Sequence, residues 1–403
     1  MINYLKEQII YKARREIKNR GDCEHLSQLI EIETGDNINY NTLRRFFDID
    51  KQKFKPRVAT LNILSRYIGY NSFKDLSTFN PQKLFFDQNL KTYELLLKFN
   101  PEQIASTYKS LNFNTKLNLL IQVCRHGILT KQIDELCLCL NKIKITVKTF
   151  PYDLILVIGN SIGILLRNIR LPKKDWDTLL NNYFFNRCVF EIFVDYSSLN
   201  SYYYRFIKHP HYNEQQKLLK VSLNCIRDYL NLKKVKLTIQ KIAPDELKKL
   251  HPILAGRILS INLYRNKSTI KNFEAIETIT VEHLYEPMIT TVITSNFELY
   301  SLIKSIFYKS IEFEIYQHFH YYQVYLLLKS CYLYKTEHFK KALASIQEIN
   351  PDDFRISYKE LLSFFYYLLH FKLTDTDNSR IKAIKISQNL GYKRLDYNFI
   401  DDY

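Results

Sequence analysis

"GDNINYNTLRRFFDIDKQKFKPRVATLNILSRYIGY", residues 35–70, is the stretch on which the fold reading turns. Gly35 ends one helical pattern, and Asn39 stands where the N-cap of the next belongs, because its side chain can accept from the first-turn backbone N–H groups. With Leu43 taken as the inward direction at 100° per residue, Tyr40, Phe46 and Phe47 fall within about 60° of it. Asn41 and Arg45 then lie nearly opposite, flanked by Thr42 and Arg44. A basic loop carrying Lys51, Lys53, Lys55 and Arg57 comes next. Beyond it Leu61, Leu64, Ser65 and Ile68 keep i, i+3, i+4, i+7 spacing, so a second amphipathic helix is expected, with Gly69 as its stop.

Upstream, "INYLKEQIIYKARREIKNRG" (2–21) places Leu5, Ile9, Ile10 and Ile17 near one face, predicting a first helix that Gly21 stops, and "CEHLSQLIEIETG" (23–35) predicts a second. Ser72 and Asp75 form a capping-box pair for a short helix. The break at "FNPQKL" (79–84) divides the chain into residues 1–80 and 81–403. Beyond it, helix starts are expected at Asn100 with Pro101, Thr130, Pro172, Asn213, Pro244 and Asn350 with Pro351. "LILVIGNSIGILL" (154–166) is too short to span a bilayer and reads as a buried helix in which Gly159 and Gly163 permit close approach. The chain holds only 8 Gly and 10 Pro against 31 Tyr and 26 Phe, and few of its runs alternate with period two. The expected class is all-α: a small helix-turn-helix bundle followed by a long array of α-helical hairpins.

Charge is a weaker guide. The net +17 favours polyanionic partners, but residues 1–80 hold 14 Lys and Arg against 10 Asp and Glu, a net +4, leaving +13 downstream. The chemistry of the outer face is more specific: Arg44 and Arg45 offer forked donors suited to guanine, Asn41 an amide that pairs with adenine, and Thr42 a hydroxyl and a methyl. Lys51, Lys53, Lys55 and Arg57 are suited to phosphates, which fix position without reading sequence.

The order of these elements resembles the Cro and lambda-repressor-like helix-turn-helix family. "HLSQLIEIETGDNINYNTLRRFF" (25–47) corresponds to its helix pair, and "KPRVATLNILSRYIGY" (55–70) to its Pro and leucine-rich following helix. The likeness covers residues 20 to 76 and implies double-stranded DNA as partner. It departs from the family in a longer second helix or turn, in a loop 48–55 without glycine, and in lacking Gln at the start of the second helix. Downstream, "YLLLKSCYLYKTEHFKKALASIQEINPDDF" (325–354) resembles a tetratricopeptide hairpin, without a clean 34-residue echo elsewhere. The joint architecture is similar to that of peptide-responsive regulators of bacterial quorum sensing, a likeness that transfers no ligand residues.

These observations lead to the expectation of a non-enzymatic, cytoplasmic DNA-binding transcriptional regulator. It would act as a homodimer, since one short helix reads few bases, with the helical region dimerising or receiving a peptide or protein. The alternative is an adaptor or scaffold that binds a protein through its helical array. A third reading has the +13 region binding RNA or DNA without sequence preference. No cofactor, metal or catalytic set is expected. "CLC" (137–139) with Cys124 and His126 lacks paired CxxC spacing, "HPH" (209–211) and "HFH" (318–320) lack i, i+4 spacing, and no P-loop, dinucleotide fingerprint, HExxH or nucleophile elbow occurs. The aromatic run 307–334 reads as core. Seven cysteines, an odd number placed mostly in apolar helical patterns, fit a reducing compartment.

Overall fold

The computed structural model describes residues 2–13, 15–50, 55–78, 81–236, 244–265, 279–309 and 320–396, together with 267, 270 and 273. The fold is all-α, and no strand occurs among the described residues. The chain divides into two compact units, Met1–Lys98 and Phe99–Tyr403. The helix after the sequence break at residue 80 is thus grouped with the first unit.

The first unit contains α1 (Ile2–Ala13), α2 (Arg20–Thr34), α3 (Tyr40–Phe46), α4 (Val58–Tyr67), α5 (Phe73–Thr78) and α6 (Pro81–Lys98). Its core joins Leu5 and Ile9 of α1, Cys23, Leu26 and Ile30 of α2, Leu43 and Phe46 of α3, and Leu61, Leu64 and Tyr67 of α4. Gly21 does not stop the first helix. α1 ends at Ala13, and Gly21 lies in the first turn of α2, which Asn19 and Asp22 start through a reciprocal capping box. The buried Asp22 carboxylate also pairs with Arg15, and hydrogen bonds from the Lys18 and Asn19 backbone, opposed by desolvation, hold its pKa below the usual value.

The second unit contains α7 (Pro101–Ser110), α8 (Phe113–Leu129), α9 (Ile133–Ile143), α10 (Tyr152–Arg167), α11 (Lys173–Asn181), a π-helix (Phe185–Phe190), α12 (Tyr202–Lys208), α13 (Glu214–Leu230) and α14 (Pro244–Leu247). It continues through α15 (Pro252–Ser260), α16 (Val281–Thr294), α17 (Tyr300–Lys309), α18 (His320–Lys335), α19 (Phe339–Gln347), α20 (Lys359–Thr374) and α21 (Asp377–Leu390). Neighbours in sequence pack as pairs, α15 with α16, α18 with α19, and α20 with α21. The α18–α19 pair turns at Glu337, whose φ is 62°, and buries Ala342 completely.

The starts at Asn100, Pro172, Asn213 and Pro244 are observed. Thr130 is instead the C-cap of α8, with α9 starting after Gln132, and Asn350 opens only the 3-10 turn Pro351–Asp353. α10 is half-exposed along one edge, with Val157 45 % accessible, so it is a surface-edge helix rather than a wholly buried one. Its glycines do permit close approach: a Cβ on Gly163 would lie 2.3 Å from the Phe193 ring. At Gly256 the approach is to backbone. A Cβ there would lie 2.0 Å from the His283 carbonyl oxygen. That oxygen is one that Pro287, four residues on in α16, has no N–H to bond.

Candidate nucleic-acid interface

The position of α3 is set by its entrance. Gly35 adopts φ 71° and returns its N–H to Glu31 O, ending α2 in the left-handed conformation that glycine takes without Cβ strain. Ser27 Oγ donates to Ile38 O at 2.6 Å, tying the turn back onto α2. Arg66 of α4 reaches the same turn, donating from Nε and Nη2 to Asp36 Oδ2 at 2.9 and 2.7 Å. Asn39 then caps α3 by accepting from the Asn41 N–H at 2.8 Å. The Arg20 guanidinium lies 4.8 Å from the Tyr40 ring centre, joining the start of α2 to the start of α3.

On α3, Leu43 and Phe46 are buried, whereas Tyr40 and Phe47 are half-buried. Asn41, Thr42, Arg44 and Arg45 are also half-buried, so the polar face lies against neighbouring surface along part of its width. Its groups interact with one another: Arg44 Nη1 donates to Asn41 Oδ1 at 3.2 Å, and Arg45 Nε donates to the Asn41 carbonyl at 3.2 Å. Arg44 Nε is buried without a hydrogen-bond partner among the described residues. Lys55 and Arg57 are exposed. Arg57 occupies the N-cap position of α4 without using its side chain as a cap. Lys51 and Lys53 lie outside the described residues.

Nearby carboxylates are largely committed elsewhere: Glu24 pairs with Arg20, Asp36 with Arg66, and Asp48 with Lys6. No carboxylate among the described residues pairs with Lys55 or Arg57. The entry to α4 thus carries two exposed basic side chains, Lys55 and Arg57, that no carboxylate among the described residues pairs.

Of the cysteine and histidine motifs, His318 and Phe319 lie outside the described residues. No group of three metal-ligating side chains converges among the described residues. Cys124, Cys137 and Cys139 are buried, and burial pushes the thiols of Cys137 and Cys139 up to about 12. His209 faces Asn181 Oδ1 through Nε2 at 3.0 Å and Pro210 O through Nδ1 at 3.0 Å. Of the aromatic run, Phe307, Val324 and Tyr325 are core, and residues 310–319 lie outside the described set. No helix among the described residues is long and apolar enough to cross a membrane.

One cluster in the second unit was not singled out from sequence. Arg257 of α15 is ion-paired with Glu286 of α16, both almost fully buried, and donates to Tyr196 Oη at 2.8 Å and to Tyr358 Oη at 3.1 Å. Tyr358 Oη also donates to Glu286 and lies 3.0 Å from Tyr196 Oη. Burial alone would lower the pKa of Arg257, but Glu286 and the two phenols hold it well above its usual value. The partners are 61, 29 and 101 positions from Arg257 in the chain, so no local motif announces them.

No protein family, curated protein or solved structure matches this chain.

Proposed function

We propose that this chain is a sequence-specific, double-stranded DNA-binding transcriptional regulator of the helix-turn-helix kind, acting as a cytoplasmic homodimer. In this reading α3 enters the major groove with Asn41, Thr42, Arg44 and Arg45 toward base edges. Lys55 and Arg57, with Lys51 and Lys53, hold the phosphates. The observation that carries it is the turn 35–39, fixed by Gly35, the Ser27–Ile38 bond and the Arg66–Asp36 bond, which holds a short polar helix in the same unit as the exposed Lys55 and Arg57. The second unit would supply dimerisation and receive a peptide or protein partner.

The test is to incubate the full chain with fragmented DNA of its own host at near-physiological salt and sequence the retained fragments. The comparison is the double variant Asn41→Ala with Arg45→Ala. A few recurrent sites, lost in the variant, support the proposal. Equal and featureless retention by both proteins reduces the affinity to net charge, and retention by neither refutes DNA binding.

A non-enzymatic adaptor role is the second reading, and one observation favours it. The side-chain acceptor of Asn41 is occupied by Arg44, and Arg45 Nε is turned back onto the helix backbone, so base reading requires these contacts to exchange. Co-purification of a protein partner that survives Arg44→Ala with Arg45→Ala, with no DNA retained, would decide for the adaptor.

A further inference from the structure

The second unit contains a 250 Å³ cavity onto which three arginines, Arg187, Arg257 and Arg355, converge from the π-helix, from α15 and from the segment before α20. We propose that this cavity is a binding site for a small organic anion, a carboxylate or phosphate ester carried on a compact apolar body. The proposal stands independently of the first unit's partner.

Unsatisfied donors are the first argument. Arg187 is 9 % exposed; its Nε sits 3.0 Å from Glu191 Oε2 without hydrogen-bond alignment, and its Nη1 is buried with no partner among the described residues. Arg257 is 5 % exposed, and while its Nη2 is committed to Glu286 and the two tyrosines, its Nε is buried and unpartnered. Arg355 is half-buried, and no hydrogen bond or ion pair to a described residue engages its guanidinium. Buried donors left in this condition are unfavourable, the more so when charged, and an anion that accepts from them removes that cost.

Charge and shape are the second. Glu191 is the sole carboxylate among the lining residues, against three guanidinium groups. Glu286, which is not among the lining residues, pairs with Arg257, leaving the Arg187–Glu191 pair and Arg355 at the cavity. Planar guanidinium forks are the geometry that carboxylate and phosphate oxygens match best. The remaining wall is mostly apolar, with Ile155, Ile192 and Leu254 among its members, and adds the polar groups of Gln215, His251, Ser357 and Tyr358. Arginine donors together with aliphatic surface suit a ligand with one charged head.

The backbone supplies the third. Arg187 lies within the π-helix and Glu191 caps it, the Glu191 N–H bonding Asn186 O at 3.2 Å. Such widened turns recur at functional sites because they displace a side chain from the direction an α-helix would give it.

The proposal is tested on the full chain by calorimetric titration at fixed ionic strength with phenyl phosphate, with 3-phenylpropionate, and with the neutral 3-phenylpropanol. The expected result is saturable one-to-one binding of at least one anion, about tenfold or more tighter than the alcohol. Arg355→Met should weaken it by about tenfold or more, the scale of one charge-assisted hydrogen bond. Glu191→Gln, which removes the opposing charge, should tighten it, and Lys340→Met, an exposed charge change on α19, should leave it unaltered. The anion preferred identifies a phosphate or a carboxylate ligand. The proposal is overturned if neither anion binds saturably up to about 10 mM, if the alcohol binds as well as the anions, or if Lys340→Met costs as much as Arg355→Met.

Discussion

Replacing Glu286 by Gln should unfold the second unit far more readily than its single-atom change implies. Glu286 is 1 % exposed and Arg257 5 %, so little water reaches the guanidinium to solvate it once the carboxylate is neutralised. Gln keeps the shape and can still accept from Tyr196 and Tyr358, so the loss is electrostatic. Breaking a buried pair by removing one partner costs about 3–5 kcal/mol, because the remaining charge is uncompensated. Removing both charges, in Arg257→Met with Glu286→Leu, should return stability to within about 1 kcal/mol of the parent or above it, since the desolvation cost of both ions disappears together. The assay is built into the chain. Trp176 is the only tryptophan, is 5 % exposed and stacks on Tyr202 at 4.8 Å, so its fluorescence in urea reports on the second unit alone. A loss below about 1 kcal/mol in Glu286→Gln, or a double variant no more stable than the single, would refute the argument that the pair is electrostatically closed.

Three further outcomes rest on particular contacts. Lys220 is 5 % exposed, and burial chiefly, with Arg187 nearby and Glu191 opposing, brings its pKa down to about 8. Between pH 8 and 10 the unfolded chain therefore binds more protons than the folded one, and stability should rise with pH by up to about 3 kcal/mol. Lys220→Met should abolish that rise in urea titrations of the two proteins run in parallel, which cancels the buried tyrosines common to both. Gly256→Ala should cost at least about 2 kcal/mol by Trp176 fluorescence, because the new methyl meets a backbone carbonyl that cannot turn aside; a neutral substitution would show that α15 and α16 can separate. Asn19→Ala should cost about 1 kcal/mol and speed hydrogen exchange in the first turn of α2, since the Asp22 N–H loses its 3.1 Å acceptor.

Short-range chemistry was legible in the sequence, and coincidence in space was not. Gly35, Asn39, Gly69 and the Ser72–Asp75 pair were placed correctly because each acts on backbone within three or four residues. Gly21 misled for a related reason: glycine stops a helix only where φ turns positive, and here Asn19 with Asp22 starts a new helix around it. Thr130 misled because its hydroxyl bonds back to His126 O and closes α8 rather than opening α9. The candidate interface was legible as a set of residue types, but not the internal bonding of Asn41 with Arg44 and Arg45, nor the half-burial of that face, which depend on how the other helices of the unit surround it. The Arg257 cluster and the arginine-lined cavity draw on segments from residue 147 to residue 358, and no window of sequence contains them.

The π-helix also has a consequence for changes in chain length. A turn closed by i to i+5 bonds accommodates one residue more than an α-helical turn, so the segment Phe185–Phe190 counts residues differently from the helices on either side. Deleting one residue there would let ordinary α-helical bonds form while the chain on either side keeps nearly its present direction, whereas the same deletion in an α-helix would rotate its flanks by about 100°. The change would be local: Asn186, buried between Leu180 O and Gln216, and Arg187 beside Glu191 could not then both keep their partners. A shortening that would twist an ordinary helix is absorbed at this one point, and what it removes is a set of polar contacts while the composition of the core stays almost untouched.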